Sequence, residues 1–138
     1  MATPGTGDTL EHTQDTAVIV SRSVSLPVKE FWRLLTSRAG SEALLGAGGV
    51  LGDKGDDWHA ADGTYGVVRS YHPLEEVRFT WHAAADAPRT VVDVRTQAVP
   101  EGGTTVEIRH EHVPAYFDKA ALERRWEKFV DDLLALAG

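Results

Sequence analysis

From Thr16 the chain reads TAVIVSRSVSL, with Val18, Val20, Val24 and Leu26 on one parity and Ser21, Ser23 and Ser25 on the other. A period of two predicts a half-buried strand. Arg22 interrupts the apolar parity, so its head either snorkels to the sheet edge or projects into a cavity. Pro27 stops the strand and is a favoured first helical residue. Val28, Phe31, Trp32 and Leu35 then recur at helical spacing, and a second short helix is expected over Ser41–Leu45 after a break at Gly40. Both helices are too short to stand alone and must pack on something.

A run of strands follows. Thr64–His72 is closed by Pro73, and Val77–His82, Thr90–Val99 and Thr104–Val113 come after short turn-rich connections. Connections this short join antiparallel neighbours, so a meander is expected rather than βαβ units. Val77, Phe79 and Trp81 share a face, as do Val92 with Val94 and Val106 with Ile108, while Arg78, Thr80, Asp93, Arg95, Glu107 and Arg109 alternate with them. One side of the sheet should be apolar and the other wet. After Pro114, Leu122, Trp126, Phe129, Val130, Leu133 and Leu134 form one stripe opposed by Glu123, Glu127, Lys128 and Asp131. This predicts one long amphipathic helix with Asp118 as its N-cap.

Residues 46–55, GAGGVLGDKG, hold five glycines in ten positions. They fit neither phosphate-binding motif. Lys54 is followed by Gly55 rather than Ser or Thr, and Leu51 stands where a dinucleotide fingerprint needs its third glycine. A mobile loop with positive-φ turns is expected instead. Residues 1–15 contain Asp8, Glu11 and Asp15 but no Lys or Arg and no periodicity, so they read as a flexible leader before a single domain over 16–138.

Composition narrows the function. The 138 residues are 42% hydrophobic, enough for a core, and the net charge of −7 has the wrong sign for a nucleic-acid or acidic-membrane binder. No apolar run approaches the roughly 20 residues of a membrane span. The absence of cysteine excludes a disulfide scaffold, a zinc ribbon and a thiol nucleophile, and suits a cytoplasmic location.

Candidate chemistry is sparse. His110 and His112 lie two apart on a strand and are expected on the inward face of Val106 and Ile108. A His-x-His pair is a metal or acid–base motif. Two ligands do not make a metal site, however, and Glu111 has the opposite parity, so neither a metal nor another cofactor is expected. His82 should face solvent, and His59 and His72 show no partner in sequence. A Ser-His-Asp arrangement has no Gly-x-Ser-x-Gly elbow to rest on.

The order of elements, with several local motifs, resembles the START-like (SRPBCC) superfamily. Within it the chain is similar to homologues of the activator of the ninety-kilodalton heat-shock chaperone's ATPase. The likeness is carried by Leu26-Pro27-Val28-Lys29-Glu30-Phe31-Trp32 with Thr36, by Asp62-Gly63-Thr64-Tyr65-Gly66-Val67-Val68, and by Phe79-Thr80-Trp81. Gly102-Gly103-Thr104-Thr105-Val106-Glu107-Ile108-Arg109-His110 and the Trp126–Leu133 helix complete it. It implies an α+β helix-grip fold of order β-α-α-β(5-6)-α, with a curved antiparallel sheet wrapped around the C-terminal helix. Eukaryotic activators carry a separate chaperone-binding domain that the leader does not supply.

A sheet gripping a helix leaves room for a cavity between them. Its expected lining is Arg22, Trp58, Tyr65, Phe79, Trp81, Val92, Val94, Val106, Ile108, His110, His112, Trp126, Phe129, Val130 and Leu133. Three readings stay open. The domain binds a small hydrophobic or amphipathic molecule, with His110 as polar handle; or it catalyses a cyclisation, dehydration or hydrolysis with His110 as acid–base; or it contacts a protein, as a chaperone regulator or, along an exposed strand, as a homodimer rather than a monomer.

Overall fold

The computed structural model describes residues 15–137, with side chains from Ala17; the expected leader lies outside the described residues apart from Asp15. The order is β1 (Asp15–Val24), α1 (Val28–Leu35), α2 (Arg38–Leu45), β2 (Asp57–His59), β3 (Tyr65–His72), β4 (Glu76–Trp81), β5 (Thr90–Ala98), β6 (Thr104–Pro114) and α3 (Lys119–Ala137). All pairings are antiparallel, and the sheet order β1-β6-β5-β4-β3-β2 places the first strand beside the last. No described helix is long and apolar enough to cross a membrane.

The alternation expected for β1 is present. Val18, Val20 and Val24 are buried between exposed Ala17, Ile19, Ser21 and Ser23. α1 buries Phe31, Trp32, Leu34 and Leu35, and the helical stripe of α3 buries Leu122, Trp126, Phe129, Val130 and Leu133. These faces meet the buried valines, Phe79, Trp81 and Ile108 of the sheet in one core. Asp118 caps α3 by accepting from Ala121 N at 3.1 Å.

α2 begins at Arg38, three residues before the expected start, because Ser37 Oγ caps it by accepting from Gly40 N at 3.1 Å. Gly40 is therefore inside the helix and is no break. A Cβ there would stand 1.8 Å from the Leu34 carbonyl oxygen, so glycine lets α2 press against the end of α1. With the short β2, five strands follow the helices, as the resemblance implies; its position was not read from the sequence, since three residues carry no readable period. In the 46–55 loop, Gly46, Gly48 and Gly55 do take positive φ.

Two departures bear on function. The ladder between β1 and β6 shifts register between Thr16 and Val18, and His112 takes a φ of 63°. This bulge inverts the alternation of β6, so Val113 is fully buried and His112 is exposed. The two histidines therefore do not share a face. On the outer, mostly wet face of the sheet, Asp93 is only 1% exposed. Arg95 Nε reaches its Oδ2 at 3.0 Å, Arg78 approaches at 3.9 Å, and Oδ1 has no hydrogen-bond partner among the described residues.

Candidate functional site

The interior between the sheet and α3 contains a small polar network in apolar surroundings. Thr90, the first residue of β5, donates its hydroxyl to the Trp81 carbonyl at 2.7 Å. The same oxygen lies 2.7 Å from His110 Nε2. A hydroxyl has one hydrogen, so Thr90 must accept from His110, which places the ring proton on Nε2. Nδ1 is then the bare nitrogen, and Trp126 Nε1 donates to it at 3.3 Å. The tautomer is thus assigned by the network. Burial, followed by the nearby Arg125 charge, lowers the His110 pKa to about 3, so the ring is neutral at physiological pH.

Trp81 completes the cluster. Its ring stands edge-on to His110 with centroids 4.9 Å apart and lies 6.4 Å from Trp126. Its indole N–H is buried and has no hydrogen-bond acceptor among the described residues. Such a donor costs about 1–3 kcal/mol if nothing receives it.

Arg125 roofs this group. Its guanidinium carbon sits 5.3 Å from the Trp81 ring centroid and 5.6 Å from that of Trp126. Its two terminal nitrogens reach Asp62 Oδ2 at 3.7 Å and the Leu45 carbonyl at 3.5 Å. Burial lowers its pKa from the usual value, with Asp62 acting in the opposite sense. Asp62 accepts from Thr64 N at 3.0 Å and Thr64 Oγ1 at 2.7 Å. Although burial opposes its ionisation, these bonds and the Arg125 charge hold its pKa below the ordinary value. Arg125 therefore ties α3 to the β2–β3 turn and to the end of α2. Sequence reasoning missed it because the helical pattern puts it beside the apolar stripe, next to Trp126, among polar neighbours.

The expected lining divides in two. Phe79, Trp81, Val92, Val94, Val106, Ile108, His110, Trp126, Phe129, Val130 and Leu133 all face the interior, each at most 4% exposed. Trp58 joins them, its ring edge-on to Phe79 at 5.7 Å and its N–H donated to the Thr80 carbonyl at 3.2 Å. Gly66 allows this approach, because a Cβ there would meet Thr80 O at 1.9 Å and Trp58 Nε1 at 2.8 Å.

Arg22, Tyr65 and His112 do not join them. Arg22 snorkels to the rim, where it binds Glu127 at 2.7 Å and Asp131 at 3.0 Å on the polar side of α3. Tyr65 stacks on His82 with centroids 4.4 Å apart and donates its hydroxyl to the Ala85 carbonyl at 3.0 Å. His82 is consequently half-buried rather than solvent-facing, with Nδ1 3.1 Å from the Ala87 carbonyl oxygen. His112 lies outside through the bulge. Among the described residues, no three His, Asp or Glu side chains gather in a way that could hold a metal ion.

Solved structures share this fold. Protein MLL2253 from Mesorhizobium loti superposes with a TM-score of 0.76 at 22% identity, over 88% of this chain and 96% of its own. CalU16 from Micromonospora echinospora gives 0.72 at 19% identity, over 85% and 73%. The Aha1 dimer from Colwellia psychrerythraea gives 0.69 at 17% identity, over 86% and 92%. The chain has an α+β helix-grip fold. At these identities the likeness establishes the fold alone. No family model and no curated protein sequence matches the chain. In helix-grip terms, the His110 network lies in the grip itself, and Arg125 closes it from the gripped helix.

Proposed function

We propose that this domain is a binding module that admits a small amphipathic molecule between the sheet and α3, past Arg125. One observation carries the reading: the indole N–H of Trp81, buried beside His110 with no acceptor among the described residues. A core selected for stability alone gains nothing from an unmet donor, whereas a ligand oxygen would satisfy it. Phe79, Trp126 and Phe129 supply apolar contact area around that position. Release of Arg125 from Asp62 would open the way in. We further infer kinship with the activator homologues, on the sequence motifs above together with the likeness to the Aha1 dimer.

Catalysis by His110 as acid–base is not favoured. Both ring nitrogens are engaged, and a pKa near 3 leaves the ring a weak base. The test is a panel of apolar molecules with and without one oxygen acceptor, read by melting temperature and tryptophan fluorescence. An acceptor-bearing ligand at a hundred times its Kd stabilises by about 2.7 kcal/mol. No shift with any member of a broad panel refutes the reading.

A further inference from the structure

The face of the sheet turned away from α3 carries two adjoining concavities that share Arg69, Thr80 and Arg89. The larger, about 670 Å³, also has Arg78 and His112 in its wall. The smaller, about 490 Å³, adds Lys54 and His82. Among the described residues, neither has an Asp or Glu in its lining. This groove therefore runs against the charge of the whole chain, which is −7.

Its cations are not equivalent. Arg78 is engaged by Glu111 at 3.1 Å and approached by Asp93 at 3.9 Å. Arg69 and Arg89 are exposed, and neither has an ion-pair or hydrogen-bond partner among the described residues. Arg69 owes its position to a bulge: the β3–β4 register shifts between Val68 and Ser70, leaving it as the extra residue of the ladder. Arg89 is held in the connection before β5. Two guanidinium groups on one concavity without a counter-charge repel each other, and an anion between them removes that repulsion. The guanidinium fork also suits paired oxygens on phosphate or carboxylate.

We propose that this groove binds a small multivalent anion whose phosphate or carboxylate oxygens lie between Arg69 and Arg89. The site lies on the opposite face of the sheet from the interior described above and does not depend on it.

The full chain is titrated with pyrophosphate and with citrate at low ionic strength by calorimetry, alongside two charge-matched double variants. Arg69→Gln with Arg89→Gln removes the groove's unpaired cations, and Lys29→Gln with Arg38→Gln removes two exposed cations on α1 and α2. We expect saturable binding that weakens at least about tenfold in the first variant and little in the second. Stronger binding of pyrophosphate assigns a phosphorylated ligand, and stronger binding of citrate a polycarboxylate. Equal losses in both variants, or no saturation with either anion, overturn the proposal. Response to the apolar panel should be unchanged in the Arg69/Arg89 variant, which keeps failure here distinct from failure of the interior reading.

Discussion

The indole N–H of Trp126, on α3, meets Nδ1 of His110, on β6, across 3.3 Å. That contact ties the gripped helix to the centre of the sheet and, with Thr90, determines which imidazole nitrogen carries the proton. Its consequence is electrostatic. The ring has donor and acceptor both satisfied only when neutral, so protonation would break the link to α3.

Stability should therefore depend on pH through His110. Its native pKa of about 3 lies below the free value of 6.5, so the unfolded chain binds more protons between those limits. The contribution is fully present above about 6.5 and is lost as pH falls toward 3, by up to about 1.4 kcal/mol per unit. Urea denaturation across this window should show a shallower pH slope for His110→Gln than for the natural chain. An unchanged slope contradicts the buried neutral assignment.

Asp93 should act with the opposite sign. Burial, then the neighbouring Glu76 carboxylate, raises its pKa to about 6, with Arg95 opposing. The folded state therefore holds the proton more tightly, and the stability associated with it is lost as pH rises from about 4 through 6. Asp93→Asn should gain stability relative to the natural chain between pH 5 and 7.5. The two melting curves should be compared at both values.

Trp81 and Trp126 should respond differently to loss of the indole nitrogen. Trp126→Phe leaves His110 Nδ1 without its donor and should cost about 3 kcal/mol. Trp81→Phe removes an unmet donor as well as volume, so its cost should be clearly smaller. It should also abolish the preference for acceptor-bearing ligands over plain hydrocarbons. Chemical denaturation and the ligand panel check both parts.

Arg125→Gln should change kinetics more than stability. The contact with Asp62 is half-exposed and long, worth no more than about 1 kcal/mol. Loss of this clasp should raise the association rate of any ligand entering the interior, measured by stopped-flow tryptophan fluorescence. A slower or unchanged rate argues against Arg125 as the closing residue.

Gly40→Ala should destabilise although it lies in a helix. Helix propensity alone favours alanine by about 1 kcal/mol. The new Cβ would stand 1.8 Å from Leu34 O, however, so α1 and α2 must separate. Net destabilisation of about 2 kcal/mol is expected in thermal or urea unfolding.

The architecture was readable because its elements are periodic. The alternation in β1 and β4, the short turns and the seven-residue recurrence of Leu122 and Phe129 are properties of sequence spacing alone, and they account for the sheet, the last helix and the shared core. Which residues of the expected lining face inward mostly followed from the same parity. Parity assumes an unbroken ladder, however, and a single residue with φ of 63° moved His112 to the other side of the sheet. Arg125 escaped notice because a helical wheel separates apolar from polar, whereas its aliphatic stem and guanidinium lie over two indole rings contributed by different elements. Neighbours distant in sequence also decided that Asp93 is covered on the wet face and that Trp81 keeps an unmet N–H. Local order along the chain thus determined which faces are apolar; the partners and charge states of the polar groups were left to contacts that exist only after the sheet has closed on its helix.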